Sequence, residues 1–186
     1  YTGSNPNNYV CFGSEESVCP EDNLYRIIGV IPTQSEVGGE YENRVKLIKN
    51  DYYTENESGY LIGTNGYDWN SSKINNWESS TLNNNVLNGE YWNSLGKYQS
   101  FISPSVWYLG AVDDNLRELY SPNQFYNVER GNTQSSCKGN INFSGNIGLM
   151  YPSDYGFSIG ILSASDSIYS KNEFYKTNSW LYNDES

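Results

Sequence analysis

Apolar and polar positions alternate unevenly along this chain, and each change of rhythm predicts an element. Leu24-Tyr25-Arg26-Ile27-Ile28-Gly29-Val30-Ile31 is rich in β-branched and aromatic residues and predicts a buried strand, with Pro32 ending it. Residues 33–43 are polar and acidic, contain Gly38-Gly39 and read as a loop. Arg44-Val45-Lys46-Leu47-Ile48-Lys49 alternates at its start and predicts a second strand. The two strands pair as an antiparallel hairpin with a long tip. Residues 50–76 are dense in Asn, Gly, Asp and Ser, with Tyr60-Leu61-Ile62-Gly63 as a short strand between loops.

The rhythm then becomes helical. Ser80 offers an N-cap, and Leu82, Val86, Leu87, Tyr91 and Leu95 follow with polar residues between them. Gly89 inside this stretch costs about 1 kcal/mol relative to Ala. Gly96 stands where a C′ glycine ends a helix. The apolar stripe needs a cover, so the helix is expected to pack on the sheet. Val106-Trp107-Tyr108-Leu109-Gly110-Ala111-Val112 predicts a strand, residues 113–145 are mostly loop, and Asn146–Tyr151 predicts a further apolar strand. Pro152-Ser153-Asp154 turns into a short helix. Residues 1–22 form an irregular lead-in, and no repeat or linker divides the rest. The expectation is one α+β domain over residues 1–186, with small antiparallel sheets, one main helix over about 80–95 and long irregular loops.

Composition separates this polar chain from disorder. Hydrophobic residues make up only 37%, but aromatics reach 16%, with 18 Tyr and 5 Trp, enough large side chains to build a core. Formal net charge is −11, and the basic residues form no patch. Nucleic acid and anionic lipid headgroups are therefore repelled rather than bound. Acidity of this kind keeps a protein in solution. No run of about 18 apolar residues exists, so no direct membrane insertion is expected. The chain begins at Tyr1 without Met, which suggests a mature or trimmed product.

There is no histidine, which removes the commonest general base, the commonest metal ligand and the Ser-His and Cys-His nucleophilic systems. With 3 cysteines and no histidine, a closed structural zinc site cannot be assembled. Carboxylate pairs run glycoside hydrolysis without histidine, but 22 acidic residues produce many accidental pairs. A non-catalytic protein with no cofactor and no metal is the expectation. Asp113-Asp114-Asn115, and Asp51 with Glu55 and Glu57, carry oxygen ligands suited to calcium, yet neither matches an EF-hand loop. Asn56, Asn70 and Asn142 begin glycosylation sequons that read as chance matches.

Cys11 and Cys19 lie eight residues apart in a Gly-, Ser- and Pro-containing segment, and a bridge between them suits an oxidising compartment. Cys137 is left over; a partner elsewhere, burial, or a partner beyond these residues would each accommodate it. Trp77, Trp92, Trp107 and Trp180 sit in apolar segments and are assigned to core packing. Trp69 differs, because it lies in a polar loop beside Tyr67 and Asp68. Exposed aromatics on loops suit binding, so Tyr67, Asp68 and Trp69 are the candidate ligand-binding residues.

Several segments taken together carry a resemblance. They are Trp77, Ser80, Leu82, Leu87, Asn88, Tyr91 and Trp92; Ile147-Gly148-Leu149-Met150-Tyr151-Pro152-Ser153-Asp154-Tyr155-Gly156; and Trp180-Leu181. Cys11-Phe12-Gly13, Cys19-Pro20 and Leu24–Val30 are similar to a subgroup of the same proteins. The chain resembles a domain of unknown function found in surface and secreted proteins of Gram-positive gut bacteria. Such domains usually continue past the Trp-Leu pair into a further Trp-containing strand and a Gly-Val-Arg-Pro close, whereas this sequence stops at Ser186. By looser analogy the family is similar to C-type-lectin-like and formylglycine-generating-enzyme-like folds, although the catalytic cysteines of the latter find no counterpart here. The resemblance implies an extracellular, cell-surface domain. It would recognise a carbohydrate or a host or bacterial surface protein as an adhesin module. The alternative is a self-assembling subunit of a pilin-like or other surface filament.

Overall fold

The structure, a computed structural model, describes residues 1–51, 69–70, 76–109, 121–130, 142–158 and 179–181. They form a small α+β fold with two sheets. Strands β1 (Tyr9–Cys11), β2 (Leu24–Gln34) and β3 (Tyr41–Lys49) make one sheet in that order, and β4 (Ser105–Tyr108) pairs with β5 (Asn142–Gly145) in the other. Helices α1 (Trp92–Ser94), α2 (Pro122–Glu129) and α3 (Pro152–Ser158) are short. The strand expected at Tyr60–Gly63 lies outside the described residues, as does Cys137.

The expected antiparallel hairpin is present, running from Tyr25 opposite Lys49 to Gln34 opposite Tyr41. Pro32 does not end β2, which continues to Gln34. Among the described residues β1 covers only Leu24–Arg26, so Pro32 lies where that side of β2 has no ladder that requires its missing N–H. At the turn, Gly39 N donates to Glu36 O at 3.0 Å and Gly38 takes a φ of 84°, the left-handed value that a side chain would resist.

Ile28 is an extra residue in β2: Ile27 faces Leu47 and Gly29 already faces Lys46. This bulge resets which face each later side chain takes. Before it Tyr25 and Arg26 are buried, as is Ile28 itself, and Arg26 lies 4.5 Å from the ring centroid of its cross-strand partner Tyr9. Beyond it, the facing pair Val30 and Val45 are 60% and 59% exposed.

The helix expected near residues 80–95 forms, and its hydrogen bonding is the surprise. Ser80 Oγ accepts from Asn83 N at 3.0 Å, as an N-cap does. Leu82–Tyr91 is then π-helical, with i→i+5 bonding and a turn wider than the α-helical 3.6 residues. Leu82, Val86, Tyr91 and Leu95 are spaced by four, five and four residues, which suits the wider turn. Leu82, Val86 and Leu95 are buried and Tyr91 is half-buried, its hydroxyl bonded to that of Tyr25 in β2. At Gly89 a Cβ would come within 2.5 Å of Asn84 O, so the helix depends on the missing side chain. Gly96, at φ 50°, turns the chain into a 3₁₀ helix, Gly96–Phe101.

The strand expected at Asn146–Tyr151 is not one; the strand is β5, four residues earlier. Ile147 instead bonds to a side chain. Asn88 Nδ2 donates to Ile147 O at 3.0 Å, and Ile147 N donates to Asn88 Oδ1 at 3.3 Å. One carboxamide thus replaces a strand neighbour. Two steps earlier, Trp107 Nε1 donates to Gly145 O at 3.0 Å, and Gly148 lies so close to the Trp107 ring that no Cβ would fit.

Two compact units result, both discontinuous in sequence. One comprises Tyr9–Trp107 with Ser144–Gly148; the other comprises Tyr1–Asn8, Tyr108–Phe143 and Leu149–Ser186. In the first, Arg44 ties β3 to the approach to β4, donating to Pro104 O at 2.5 Å and Ser105 Oγ at 3.2 Å. In the second, Phe125 and Trp180 are core residues at 0% and 4% exposure. Gly3 N donates to Ser158 O at 2.8 Å, Trp180 N to Gly3 O at 3.0 Å and Trp180 Nε1 to Tyr1 O at 3.2 Å. The expectation that residues 113–145 are mostly loop missed α2, which begins at Pro122.

Asn88→Ala removes the partner of both Ile147 backbone groups. It should destabilise the protein by about 1–3 kcal/mol. The exposed control Asn93→Ala should cost less than about 0.5 kcal/mol. Urea denaturation of both variants checks the difference; equal midpoints would remove Asn88 from its role.

Candidate functional site

The sequence pointed to Tyr67, Asp68 and Trp69. Tyr67 and Asp68 lie outside the described residues. Trp69 is 42% exposed, and its ring centroid is 5.3 Å from that of Trp77, tilted by 49°. Trp77 is only 7% exposed, so one indole backs the other. The backbone beneath is tied down as well: Leu82 N donates to Trp69 O at 3.2 Å, and Asn70 Nδ2 to Ser79 O at 3.4 Å. The helix start therefore holds Trp69 in place while leaving part of its ring open to solvent. Such a ring offers a flat apolar surface with little side-chain entropy left to lose.

The other tryptophans separate from it. Trp77 and Trp180 are buried, and Trp92 and Trp107 are half-buried. Cys11 and Cys19 are bonded, with Cα atoms 5.7 Å apart, as their spacing led us to expect. Of the two calcium candidates, only Asp51 is described, and it is exposed. Among the described residues no group of three His, Cys, Asp or Glu side chains is placed to hold a metal ion.

A second polar constellation, which the sequence did not single out, lies between α2 and α3. Helix α2 opens on a reciprocal capping box, in which Ser121 N donates to Gln124 Oε1 at 2.8 Å and Gln124 N to Ser121 Oγ at 3.3 Å. Its last residue, Glu129, is 3% exposed and caps α3, accepting from Ser153 N at 2.9 Å and Ser153 Oγ at 2.6 Å. Asp154 closes the same helix start from within by accepting from Tyr151 N at 2.8 Å. Arg130 lies 3.5 Å from Glu129 Oε2, donates to Tyr126 O at 3.0 Å and stacks 3.4 Å from the Tyr126 ring centroid. The rings of Tyr108 and Tyr151 stand at 5.2 and 5.5 Å from the same guanidinium.

Burial pushes the Glu129 carboxyl up to about 7, against the two Ser153 hydrogen bonds and Arg130, with Asp154 adding to the rise. Burial likewise raises the Tyr151 phenol, whose oxygen accepts from Tyr108 N at 2.7 Å. A shifted carboxyl beside a serine invites a catalytic reading. Ser153, however, is 1% exposed, so neither member of the pair meets solvent as the protein stands. The constellation joins two helices. Its sequence signal was Ser121-Pro122-x-Gln124, a capping box with proline at the first helical position.

No family model, curated protein or solved structure matches this chain.

The Glu129 shift sets a pH dependence. The folded-state value is raised above the unfolded one. Its stabilising contribution is therefore complete below the ordinary carboxylate range and is lost as pH rises through about 7. No histidine contributes to the same range. Denaturation at pH 5 and pH 8 should show a loss on the order of 3 kcal/mol at the higher pH. Glu129→Gln should flatten that slope, and an unchanged slope would contradict the assignment.

Proposed function

We propose that this chain is a non-catalytic extracellular recognition domain of a bacterial surface protein, an adhesin-type module that holds a glycan against Trp69. The observation that carries this reading is the Trp69–Trp77 pair, a part-exposed indole supported by a buried one. Sugar rings present C–H faces that stack on such a surface. Three further features agree with it. The chain lacks histidine, its acidic charge disfavours nucleic acid and membranes, and a disulfide bridges Cys11 and Cys19. Among the described residues no helix is long and apolar enough to cross a membrane. The motif resemblance to bacterial surface domains supports the same location.

A glycan array probed with the native chain and with Trp69→Ala tests the reading. At least one glycan should bind, and the variant should lose about tenfold in affinity, as removal of a stacked aromatic implies. An array without hits would reject it.

A subunit of a pilin-like or other surface filament is the second reading, supported by a different observation. On the hairpin, Val30, Val37, Tyr41 and Val45 are 60%, 61%, 62% and 59% exposed. A filament subunit would cover such residues with another copy. Concentration-dependent assembly in sedimentation velocity, abolished by Val45→Glu, would favour this reading. A monomer at all concentrations would remove it.

A further inference from the structure

Two demands of the fold meet at neighbouring positions of the π-helix. Asn88 must present a carboxamide, because its Nδ2 donates to Ile147 O at 3.0 Å and its Oδ1 accepts from Ile147 N at 3.3 Å. Residue 89 must lack a side chain, because a Cβ there would come within 2.5 Å of Asn84 O. Together they place Asn88 directly before Gly89. In an Asn-Gly pair the asparagine side chain reacts readily with its own backbone. No side chain on the glycine shields the attacking amide nitrogen or restricts its approach. The same pair recurs at Asn65-Gly66, outside the described residues.

The reaction needs only water. Gly89 N loses its proton and attacks Asn88 Cγ, the side-chain nitrogen leaves as ammonia, and a succinimide ring closes. Water then opens the ring at one carbonyl or the other, which gives aspartate or isoaspartate. In the closed unit both reacting groups are engaged. Asn88 Nδ2 donates a second bond, to Asn83 Oδ1 at 2.7 Å, so both polar atoms of the carboxamide are held. The i→i+5 bonding of Leu82–Tyr91 directs the Gly89 N–H back along the helix toward Asn84 O, away from Asn88 Cγ. The carboxamide turns onto the nitrogen only after Ile147 has left it.

We propose that Asn88-Gly89 is a self-modification site, protected while Ser144–Gly148 is docked and irreversibly converted when that segment leaves. The product does not re-form the closed state. An ionised aspartate only accepts hydrogen bonds. It would set a charged oxygen against Ile147 O and Asn83 Oδ1, where Nδ2 donates to both. Isoaspartate routes the main chain through the former side-chain carbon and interrupts the helical bonding around it. Either product leaves Ile147 O without its donor, a cost that opposes redocking. A local opening that would otherwise reverse thus becomes permanent. The unit has a built-in lifetime, set by how often residues 144–148 undock. Trp107 belongs to the guard, since its Nε1 holds Gly145 O at 3.0 Å. The site is distinct from that at Trp69 and involves no ligand.

Peptide mapping by mass spectrometry after incubation at pH 8 follows the conversion, which adds about 1 Da to the peptide bearing residue 88. In urea that unfolds the chain, Asn88 and Asn65 should convert at similar rates. In buffer Asn88 should convert at least about tenfold more slowly, because only the opened population reacts. Trp107→Phe keeps a ring but removes the donor to Gly145 O, and should speed conversion at Asn88 in buffer by about fivefold. No conversion in urea, equal rates in buffer and urea, or no effect of Trp107→Phe would overturn the proposal. Asn88→Asp supplies one product directly. It should unfold at lower urea than Asn88→Ala, or fail to fold; a midpoint at or above that of Asn88→Ala would show that the product redocks and the change is no lock.

Discussion

The Tyr9–Trp107 unit depends on how it holds a segment distant in sequence. Residues Ser144–Gly148 return to it after a long excursion, and two side chains receive them. Asn88 satisfies both backbone groups of Ile147, and the Trp107 indole bonds Gly145 O while its ring leaves Gly148 no room for a side chain. Buried or half-buried backbone groups need partners. A sheet would supply them through a neighbouring strand; here a carboxamide and an indole N–H do so. The geometry of Asn88 in turn depends on the π-helix. Its Nδ2 also donates to Asn83 Oδ1, five residues earlier, at 2.7 Å. An i→i+5 side-chain bond of this kind matches the backbone bonding beside it. Gly89 permits the wide turn, the wide turn sets Asn88, and Asn88 fixes Ile147.

The other unit is organised by charge rather than by amide geometry. Its two helices meet through Glu129, which satisfies Ser153 at the start of α3 and lies against Arg130. Placing a carboxylate at a helix N-terminus is favourable, but burying it is costly. The outcome is a carboxyl lifted toward neutrality within a polar cluster that Arg130 links to three tyrosine rings. This explains how a chain with few aliphatic residues still builds an interior. Tyrosine rings supply area, and their stacking on arginine offsets part of the cost of burying it.

Two aromatic rows of the Tyr9–Trp107 unit follow one pattern. In each, an exposed ring is backed by rings that sink toward the core: Trp69 on Trp77, and Phe101 on Tyr98, Phe12 and Tyr25. Trp77 and Tyr25 are core residues, while Phe12 and Tyr98 are half-buried. The outer members, Trp69 and Phe101, extend the same contacts into solvent at 42% and 74% exposure.

Much of this fold was legible in the sequence, because local pattern carries local structure. The β2–β3 hairpin followed from β-branched runs, Ser80 and Gly96 marked the helix limits, and the spacing of Cys11 and Cys19 anticipated their bridge. Trp77 and Trp180 were assigned to the core, and Trp69 was set apart from them, by the polarity of their neighbours. The π-helical turn was present in the four-five-four spacing of Leu82, Val86, Tyr91 and Leu95, but read against an α-helical period it passed as ordinary scatter. Helix α2 was signalled by Ser121, Pro122 and Gln124, and its weak apolar stripe hid it. Other features were decided only in three dimensions. The Ile28 bulge reverses the faces of β2 and exposes Val30, which alternation would have buried. Ile147 looks like a strand residue and is one in its needs, but the neighbour that meets them is a side chain 59 residues away. The row from Tyr25 to Phe101 joins three segments whose meeting no local pattern encodes. Periodicity reports which side of an element seeks cover; which partner supplies it depends on contacts between segments far apart in the chain, and those exist only once it has folded.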